Sequence, residues 1–338
     1  MVTLLPLFPA LKCLGLSELG DFGIIVLAGR LASCPSLQRL DISSNDIKNT
    51  AGNTMKELAS GLAKCTLLQH LNLSHNDIKA SGIKALAMRL PQLVSLQELI
   101  LYSCSAGDEG AMFLSPSLPL CPSLQHLALG DNQIGSVGGK ALAANLSECT
   151  LLQRLDFSGN NSYYDSRLTR AQNDFNENTK HEGADALVAR LPASIQYLNL
   201  SSICLSPDGA KALAARLKEC TLLQHLDLSR GHIGTEGVKY LSEHFPDCPA
   251  LQHLDLCNTG IKSDGILALA PYLPQLPSLL HLGLRCSDFG DESAKLIAAY
   301  LPECVSLQYL DLNSCIELRN EGVKALAASL PECTRYCT

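Results

Sequence analysis

The sequence predicts an α/β solenoid in which one short motif recurs along nearly the whole chain. The pattern Leu-x-x-Leu-x-Leu, with Ile or Phe allowed at a leucine position, occurs eleven times, and seven of its ten successive spacings are 28 residues. Each motif alternates apolar and variable residues as a strand does, and a helix-like apolar pattern follows. Hydrophobic residues make up 46% of the chain and none is Trp, so the core must consist mainly of Leu, Ala, Ile and Val. A fixed period of this length is typical of repeat proteins.

The strands come first in each unit, and the motifs begin at positions 11, 37, 68, 96, 124, 152, 195, 223, 251, 279 and 307. Residues three and five of a motif share one face, because side chains alternate along a strand. A stretch such as KALAARL (211–217) then places Leu213 and Leu217 on one helix face. An acid followed by Gly precedes the helical pattern in five units. We interpret this pair as a tight turn into a helix whose dipole the acid complements. The pairs are Glu109-Gly110, Asp208-Gly209, Glu236-Gly237, Asp264-Gly265 and Glu321-Gly322.

This unit resembles the ribonuclease-inhibitor type of leucine-rich repeat, which is also found in the Ran GTPase-activating protein and at the C-terminus of NOD-like receptors. The resemblance covers roughly residues 4–335 and rests on the eleven motifs. It implies a horseshoe with parallel strands on the concave side and helices on the convex side. Strands stack ~4.8 Å apart whereas helices pack at about 8–10 Å, which favours the same curvature. We therefore expect one domain over 1–338, with an inserted loop at about 161–180.

The residue that follows each strand distinguishes the two halves of the sequence. The family uses an Asn there, whose amide satisfies backbone groups in the turn, and tolerates Cys. The Asn positions are Asn45, Asn76, Asn132 and Asn160, and the Cys positions are Cys104 and Cys315. The other later repeats depart from this pattern with Ile203, Gly231, Thr259 and Ser287. We expect the turns of the C-terminal half to be less tightly held.

The two ends show no obvious capping unit, although solenoids usually need one to cover the terminal core. Two interpretations stay open: the chain is part of a longer one, or it is a minimal array. The start, MVTLLPLFPALKCLGL, lacks the basic segment and small-residue cleavage site of a signal peptide. Its texture matches residues 272–284, so we assign it to the repeats.

Charge and hydropathy exclude two classes of partner. The formal net charge is −7 and there is no cluster of Lys and Arg, which argues against nucleic acid. The absence of an 18-residue apolar run argues against a membrane span.

The fifteen cysteines favour packing over metal binding or disulfides. Eight of them stand three residues before a first motif position, which is a repeated site for a small apolar side chain, and no C-x-x-C pair occurs. Many free thiols indicate a reducing compartment, so we expect a cytoplasmic protein. No cofactor or metal is predicted.

Catalytic signatures are missing from the sequence. GSVGGKALA lacks the spacing of a phosphate-binding loop, and no zinc-protease, nucleophile-elbow or dinucleotide motif occurs. We therefore predict a scaffold that binds a protein ligand, as in a receptor or regulator, and that is not an enzyme. Two alternatives stay open: a GTPase-activating protein of the Ran-activating type, whose partner is a small GTPase, and a bacterial effector that binds a host protein.

One segment interrupts the regular spacing. The interval after Leu152 is 43 residues, and the extra length lies within NNSYYDSRLTRAQNDFNENTK (160–180). This segment is either a solvated loop or a recognition loop, since long loops are often functional and interfaces favour Tyr and Arg. In the second case, deleting 162–178 leaves the fold intact and removes partner binding. The candidate contact residues are Tyr163, Tyr164, Arg167 and Arg170.

The third and fifth motif positions of the C-terminal half form the main candidate binding surface. We expect its rings to stack from strand to strand, with acids alongside, to bind a protein partner. The rings are Tyr197, His225, His253, His281 and Tyr309, and the acids are Asp227, Asp255 and Asp311. A duplicated consensus without a function is the other interpretation.

A metal site is not expected on this surface, because three His on one flat column do not converge on a tetrahedral centre. Partner binding is expected to vary with pH between about 5.5 and 7.5, where histidine changes charge. The direction stays open, since the acids favour the charged form and neighbouring imidazoles disfavour it.

Overall fold

The computed structural model describes residues 2–49, 52–160, 181–287, 290–315 and 317–329. In this part of the chain, eleven three-residue strands alternate with helices, and the strand pairs run parallel between consecutive repeats. The predicted α/β solenoid of about eleven repeats is confirmed. Its contacts form two compact units, 1–161 and 162–338. No helix among the described residues is long and apolar enough to cross a bilayer.

The first unit contains six strands and five α-helices in its described residues. The strands are β1 Cys13–Gly15, β2 Arg39–Asp41, β3 His70–Asn72, β4 Glu98–Ile100, β5 His126–Ala128 and β6 Arg154–Asp156. The helices are α1 Gly20–Arg30, α2 Asn53–Leu62, α3 Lys79–Ala87, α4 Gly107–Leu114 and α5 Ser136–Leu146. The N-terminal segment forms a 3₁₀ helix, Val2–Leu7, ahead of β1.

The second unit contains five strands and six α-helices in its described residues. The strands are β7 Tyr197–Asn199, β8 His225–Asp227, β9 His253–Asp255, β10 His281–Gly283 and β11 Tyr309–Asp311. The helices are α6 at 181–188, α7 Pro207–Leu217, α8 Gly234–Ser242, α9 Ser263–Leu269, α10 Asp291–Tyr300 and α11 Asn320–Ser329. Each strand covers positions three to five of its motif. Equivalent motif positions therefore lie opposite each other in neighbouring strands.

The core lies between the strands and the helices of each unit. Leucines at the fourth motif position, such as Leu226 and Leu254, are fully buried. The cysteines three residues before each motif are buried wherever the structure describes them, and burial raises the pKa of Cys65 to about 11 and that of Cys248 to about 12. The thirteen cysteines of the described residues are all free thiols. The packing interpretation of this cysteine position is therefore confirmed for those residues.

The glycines that follow the helix-start acids have a different role from the predicted one. They lie inside the first turn of their helices and not in a preceding turn, as Gly237 does in α8. A Cβ atom on Gly237 would lie 2.4 Å from Ile233 Cγ1 and 3.3 Å from the Cβ of Ala210 in the preceding helix. Close packing of the helix start, and not a turn, therefore requires Gly at this position.

Buried asparagines connect the repeats of the first unit after each strand. Asn132 donates hydrogen bonds from Nδ2 to the carbonyl oxygens of Leu101, Leu129 and Gly130, at 2.6, 2.9 and 3.0 Å. Its Oδ1 accepts the backbone N–H groups of Cys104 and Ala106. One side chain thus satisfies five buried backbone groups in two adjacent repeats, as expected for the family position.

Asn45, Asn76 and Asn160 make the same type of contact. Each amide donates to carbonyls of its own turn and of the preceding repeat. Each Oδ1 accepts backbone N–H groups of the preceding repeat. Hydrogen bonds from these asparagines therefore connect turns of the first unit to the preceding repeat.

The equivalent position is weaker in the second unit. Thr259 makes one hydrogen bond there, from Oγ1 to Leu256 O at 2.7 Å. The hydroxyl of Ser287 is buried and has no hydrogen-bond partner. Gly231 has no side chain, and a Cβ atom would lie 2.6 Å from Ile203 O. These turns therefore have fewer ties to the neighbouring repeat, and their softness relative to the first unit stays a prediction.

We predict that Asn132→Ala lowers the free energy of unfolding by about 3 kcal/mol, because several buried backbone groups lose their partner. The matched control Thr259→Val removes one hydrogen bond and should cost about 1 kcal/mol. Urea denaturation followed by far-ultraviolet circular dichroism measures both. Equal losses for the two variants would contradict the inter-repeat role of Asn132.

Candidate interaction surface

The candidate site lies on the open face of the second unit, which we define as the side of its sheet that carries motif positions three and five. In β8 and β9, the side chains at these positions are half-buried, whereas the leucine between them is buried. This face is therefore the side turned away from the core, and the strands fix the positions of its side chains.

Five aromatic rings form a continuous stack across this face, which we call the ring column: Tyr197, His225, His253, His281 and Tyr309. The successive ring centroids are 4.2, 4.2, 4.0 and 4.5 Å apart. The interplanar angles are 11°, 13°, 13° and 7°. The rings therefore cover one another's faces.

The parallel register explains the stack. His253 pairs with His225 on one side and with His281 on the other, so their Cα atoms lie directly opposite each other. The spacing of hydrogen-bonded strands, ~4.8 Å, is close to the separation at which aromatic rings stack. The predicted arrangement of three stacked histidines between two tyrosines is present in the structure. Its role in binding stays a prediction.

The acids at the fifth motif position hold the turns that follow the strands. Asp227 Oδ1 accepts the N–H of Ser229 at 2.9 Å, and Asp255 Oδ1 accepts that of Cys257 at 2.8 Å. Asp311 makes the same contact with Asn313. One oxygen of each carboxylate therefore has a structural function, which the sequence interpretation missed because it considered these acids only as partners of the histidines.

Burial lowers the pKa values of two histidines in the ring column. Desolvation lowers the pKa of His253, although Asp255 and Asp227 oppose the shift. Desolvation, reinforced by the charge of His253, also lowers the pKa of His281. Burial raises the pKa of Asp227 against the hydrogen bonds from Ser229. The direction left open by the neighbouring charges is set by burial, which favours neutral imidazoles at His253 and His281.

A cavity of about 340 Å³ lies beside the ring column at the carboxyl ends of the strands. Asp255, Asp311 and Cys257 line it, together with the exposed arginines Arg230 and Arg285. The two arginines are not among the residues predicted from the sequence, because they follow the motif and lie in neither column. The signal that could have found them is their position, one or two residues beyond the last motif leucine.

The same face of the first unit has a different character. Its third motif positions carry basic and acidic residues as well as histidines. His70 Nδ1 lies 2.5 Å from Glu98 Oε2, and His126 lies opposite Arg154 of the next strand. Burial, and next the charge of Arg154, lower the pKa of His126. Among the described residues, a continuous column of stacked rings is therefore found in the second unit.

The four candidate residues of the inserted segment are outside the described residues. These are Tyr163, Tyr164, Arg167 and Arg170. Their proposed role in recognition stays a prediction from the sequence. The other predicted residues, from Tyr197 to Asp311, lie on one face of the second unit.

Comparison with known families supports the repeat assignment. A family model described as leucine rich repeat matches residues 33–52, 64–87, 120–143, 219–242 and 303–327. The chain contains leucine-rich repeats. The matched segments span both units, so the two units are built from the same type of repeat. A comparison with curated proteins finds no match.

Among solved structures, the leucine-rich repeats of this chain are similar to the crystal structure of the Rad7–Elc1 complex of yeast. The TM-score is 0.56 at 16% sequence identity, over 95% of this chain and 67% of that chain. An internalin, InlF, of Listeria monocytogenes is matched with a TM-score of 0.49 at 15% identity, over 95% of this chain and 86% of that chain. At such identities the similarity to the yeast structure shows the fold alone.

The lowered pKa values predict that stability falls in mild acid. The unfolded chain has histidine pKa values of ~6.5, so below this pH it binds more protons than the folded protein, in which His253 and His281 resist protonation. We expect the free energy of unfolding to fall as the pH decreases from about 7 to about 5, and to fall less in the double variant His253→Gln, His281→Gln. Urea denaturation at stepped pH measures this. A variant slope equal to or steeper than that of wild type would contradict the assignment.

Proposed function

We propose that this protein is a non-enzymatic scaffold that binds a protein ligand on the open face of its second unit, centred on the ring column. The stacked rings are the observation that supports this proposal most strongly. Five side chains that would otherwise be mobile are held by adjacent strands, so little side-chain entropy is lost when a partner binds. Tyrosine is also among the residues that dominate binding energy at interfaces.

The chemistry of the surface supports a protein partner. Imidazole edges can donate or accept hydrogen bonds, and the carboxylates of Asp255 and Asp311 and the guanidinium groups of Arg230 and Arg285 lie around the neighbouring cavity. Aromatic residues and Arg are enriched at protein interfaces. The yeast structure with the same fold is a complex of two proteins, which is in keeping with this proposal.

We further propose the ribonuclease-inhibitor type of repeat and a cytoplasmic location. The repeat type is supported by the 28-residue spacing and by the α-helix that accompanies each described repeat. The location is supported by the thirteen free thiols of the described residues, since such thiols persist in reducing compartments.

The ring column is tested by the triple variant His225→Ser, His253→Ser, His281→Ser. We expect it to recover the main partner of the wild-type protein at least tenfold less, because loss of a central anchor typically costs ~2 kcal/mol or more. The measurement is capture from lysate on immobilised protein with quantitative mass spectrometry, followed by an affinity titration with the recovered partner.

The matched control changes three lysines on the helices, Lys211→Ser, Lys239→Ser and Lys295→Ser. These side chains lie on helices and not on strands, where they form exposed ion pairs with acids one turn earlier. The control should capture the partner as wild type does, and both variants should keep their helical content. Equal capture by the triple histidine variant would contradict the proposal. Recovery of a small GTPase whose hydrolysis this protein accelerates would favour the GTPase-activating alternative.

A further inference from the structure

Three side chains on the open face of the second unit form a cluster with the composition of a metal site. One ring nitrogen of His253, one ring nitrogen of His281 and one carboxylate oxygen of Asp255 all lie within 4.8 Å of one another. The three residues are half-buried. Imidazole nitrogen suits zinc, copper and nickel, and two imidazoles with one carboxylate form a common ligand set for zinc.

We propose that His253, His281 and Asp255 bind a first-row divalent transition metal, foremost Zn²⁺. This inference does not depend on protein binding, since the metal site is defined by three donor atoms alone. It also revises the expectation from the sequence. That expectation considered the three histidines of one column, whereas the third ligand comes from the neighbouring column of acids.

Gly283 explains why the cluster forms between β9 and β10. It lies opposite Asp255 in the register, at the position where β8, β9 and β11 have Asp. A Cβ atom on Gly283 would lie only 2.6 Å from Asp255 Oδ1. The missing side chain thus leaves room for the Asp255 carboxylate to lie close to β10, beside His281.

The donor atoms must move only a short way to bind a metal. Zinc bonds of about 2.0–2.2 Å place tetrahedral ligand atoms roughly 3.4 Å apart, so the three donors are already close to the required separations, and rotation of an imidazole can bring them onto one ion. Solvent molecules can fill the remaining coordination position, since the cluster borders the open cavity in which Asp255 lies.

His253 and His281 cannot bind one metal ion and remain stacked on each other. A metal bound to an imidazole nitrogen lies in the plane of that ring. The rings of His253 and His281 are stacked with centroids 4.0 Å apart and planes inclined by 13°, so no nearby point lies in both planes. At least one imidazole must rotate out of the stack, and the metal therefore remodels the surface that the ring column presents.

The test is a Co²⁺ titration of the full chain, without a polyhistidine tag, followed by visible absorption and repeated in competition with Zn²⁺. We expect saturable binding of one ion with nitrogen and oxygen ligands. Two variants remove a ligand each: Asp255→Asn retains an oxygen that can accept the N–H of Cys257, and His281→Phe retains a ring for the stack. Each should weaken binding at least tenfold, because removing even an indirect partner of a metal ligand typically costs about 10–100-fold.

Two further variants make the test specific. Gly283→Ala retains all three ligands but displaces the Asp255 carboxylate, so it should also weaken binding. The matched control His225→Phe changes a histidine of the same column outside the cluster and should bind the ion as wild type does. Three outcomes would overturn the proposal: no saturable binding, equal binding by wild type and Asp255→Asn, or a thiolate-to-cobalt charge-transfer band that assigns the ion to cysteines.

Discussion

The structure depends on the parallel register that the repeat spacing imposes. Because consecutive strands of a unit pair at equivalent motif positions, each strand residue lies opposite the corresponding residue of the next strand. A residue type that recurs at one position therefore contacts copies of itself. The leucines therefore form a continuous core. Polar residues at one motif position form a column of neighbouring side chains, so that the properties of each depend on the others, as in the stack of His225, His253 and His281.

The same register makes the turns of one repeat depend on the next. Asn132 bridges two repeats of the first unit through five hydrogen bonds, whereas Thr259 contacts only its own turn. The unit whose turns have fewer ties to the neighbouring repeat also has the ring column, whose stacked rings add contacts between its neighbouring strands. Stacking of aromatic side chains typically contributes about 0.5–1.5 kcal/mol per pair beyond burial. The ring column thus contributes to holding the second unit together, in addition to any role in binding.

Much of the fold and the ring column could be predicted from the sequence, because both follow from the spacing of the motifs. A fixed period and strand alternation give the positions of the eleven strands and the face on which each motif position lies. They also give the neighbours of His253 in the ring column. Features that depend on contacts between different positions were missed. Gly237 is required by packing against Ile233, Asp255 holds the N–H of Cys257, and burial lowers the pKa of His281. A one-dimensional pattern contains no information on how deeply a side chain is covered or which atoms it meets.

The most direct test of this account is a nuclear Overhauser measurement on the imidazole protons, with the rings assigned by single substitutions. If the register places the rings in one stack, the ring protons of His253 should show cross-peaks to those of both His225 and His281, and His281 should also show cross-peaks to Tyr309. These rings have centroids 4.0–4.5 Å apart, which is within the range of the effect. A spectrum in which the histidines show cross-peaks only to residues of their own repeats would contradict the account.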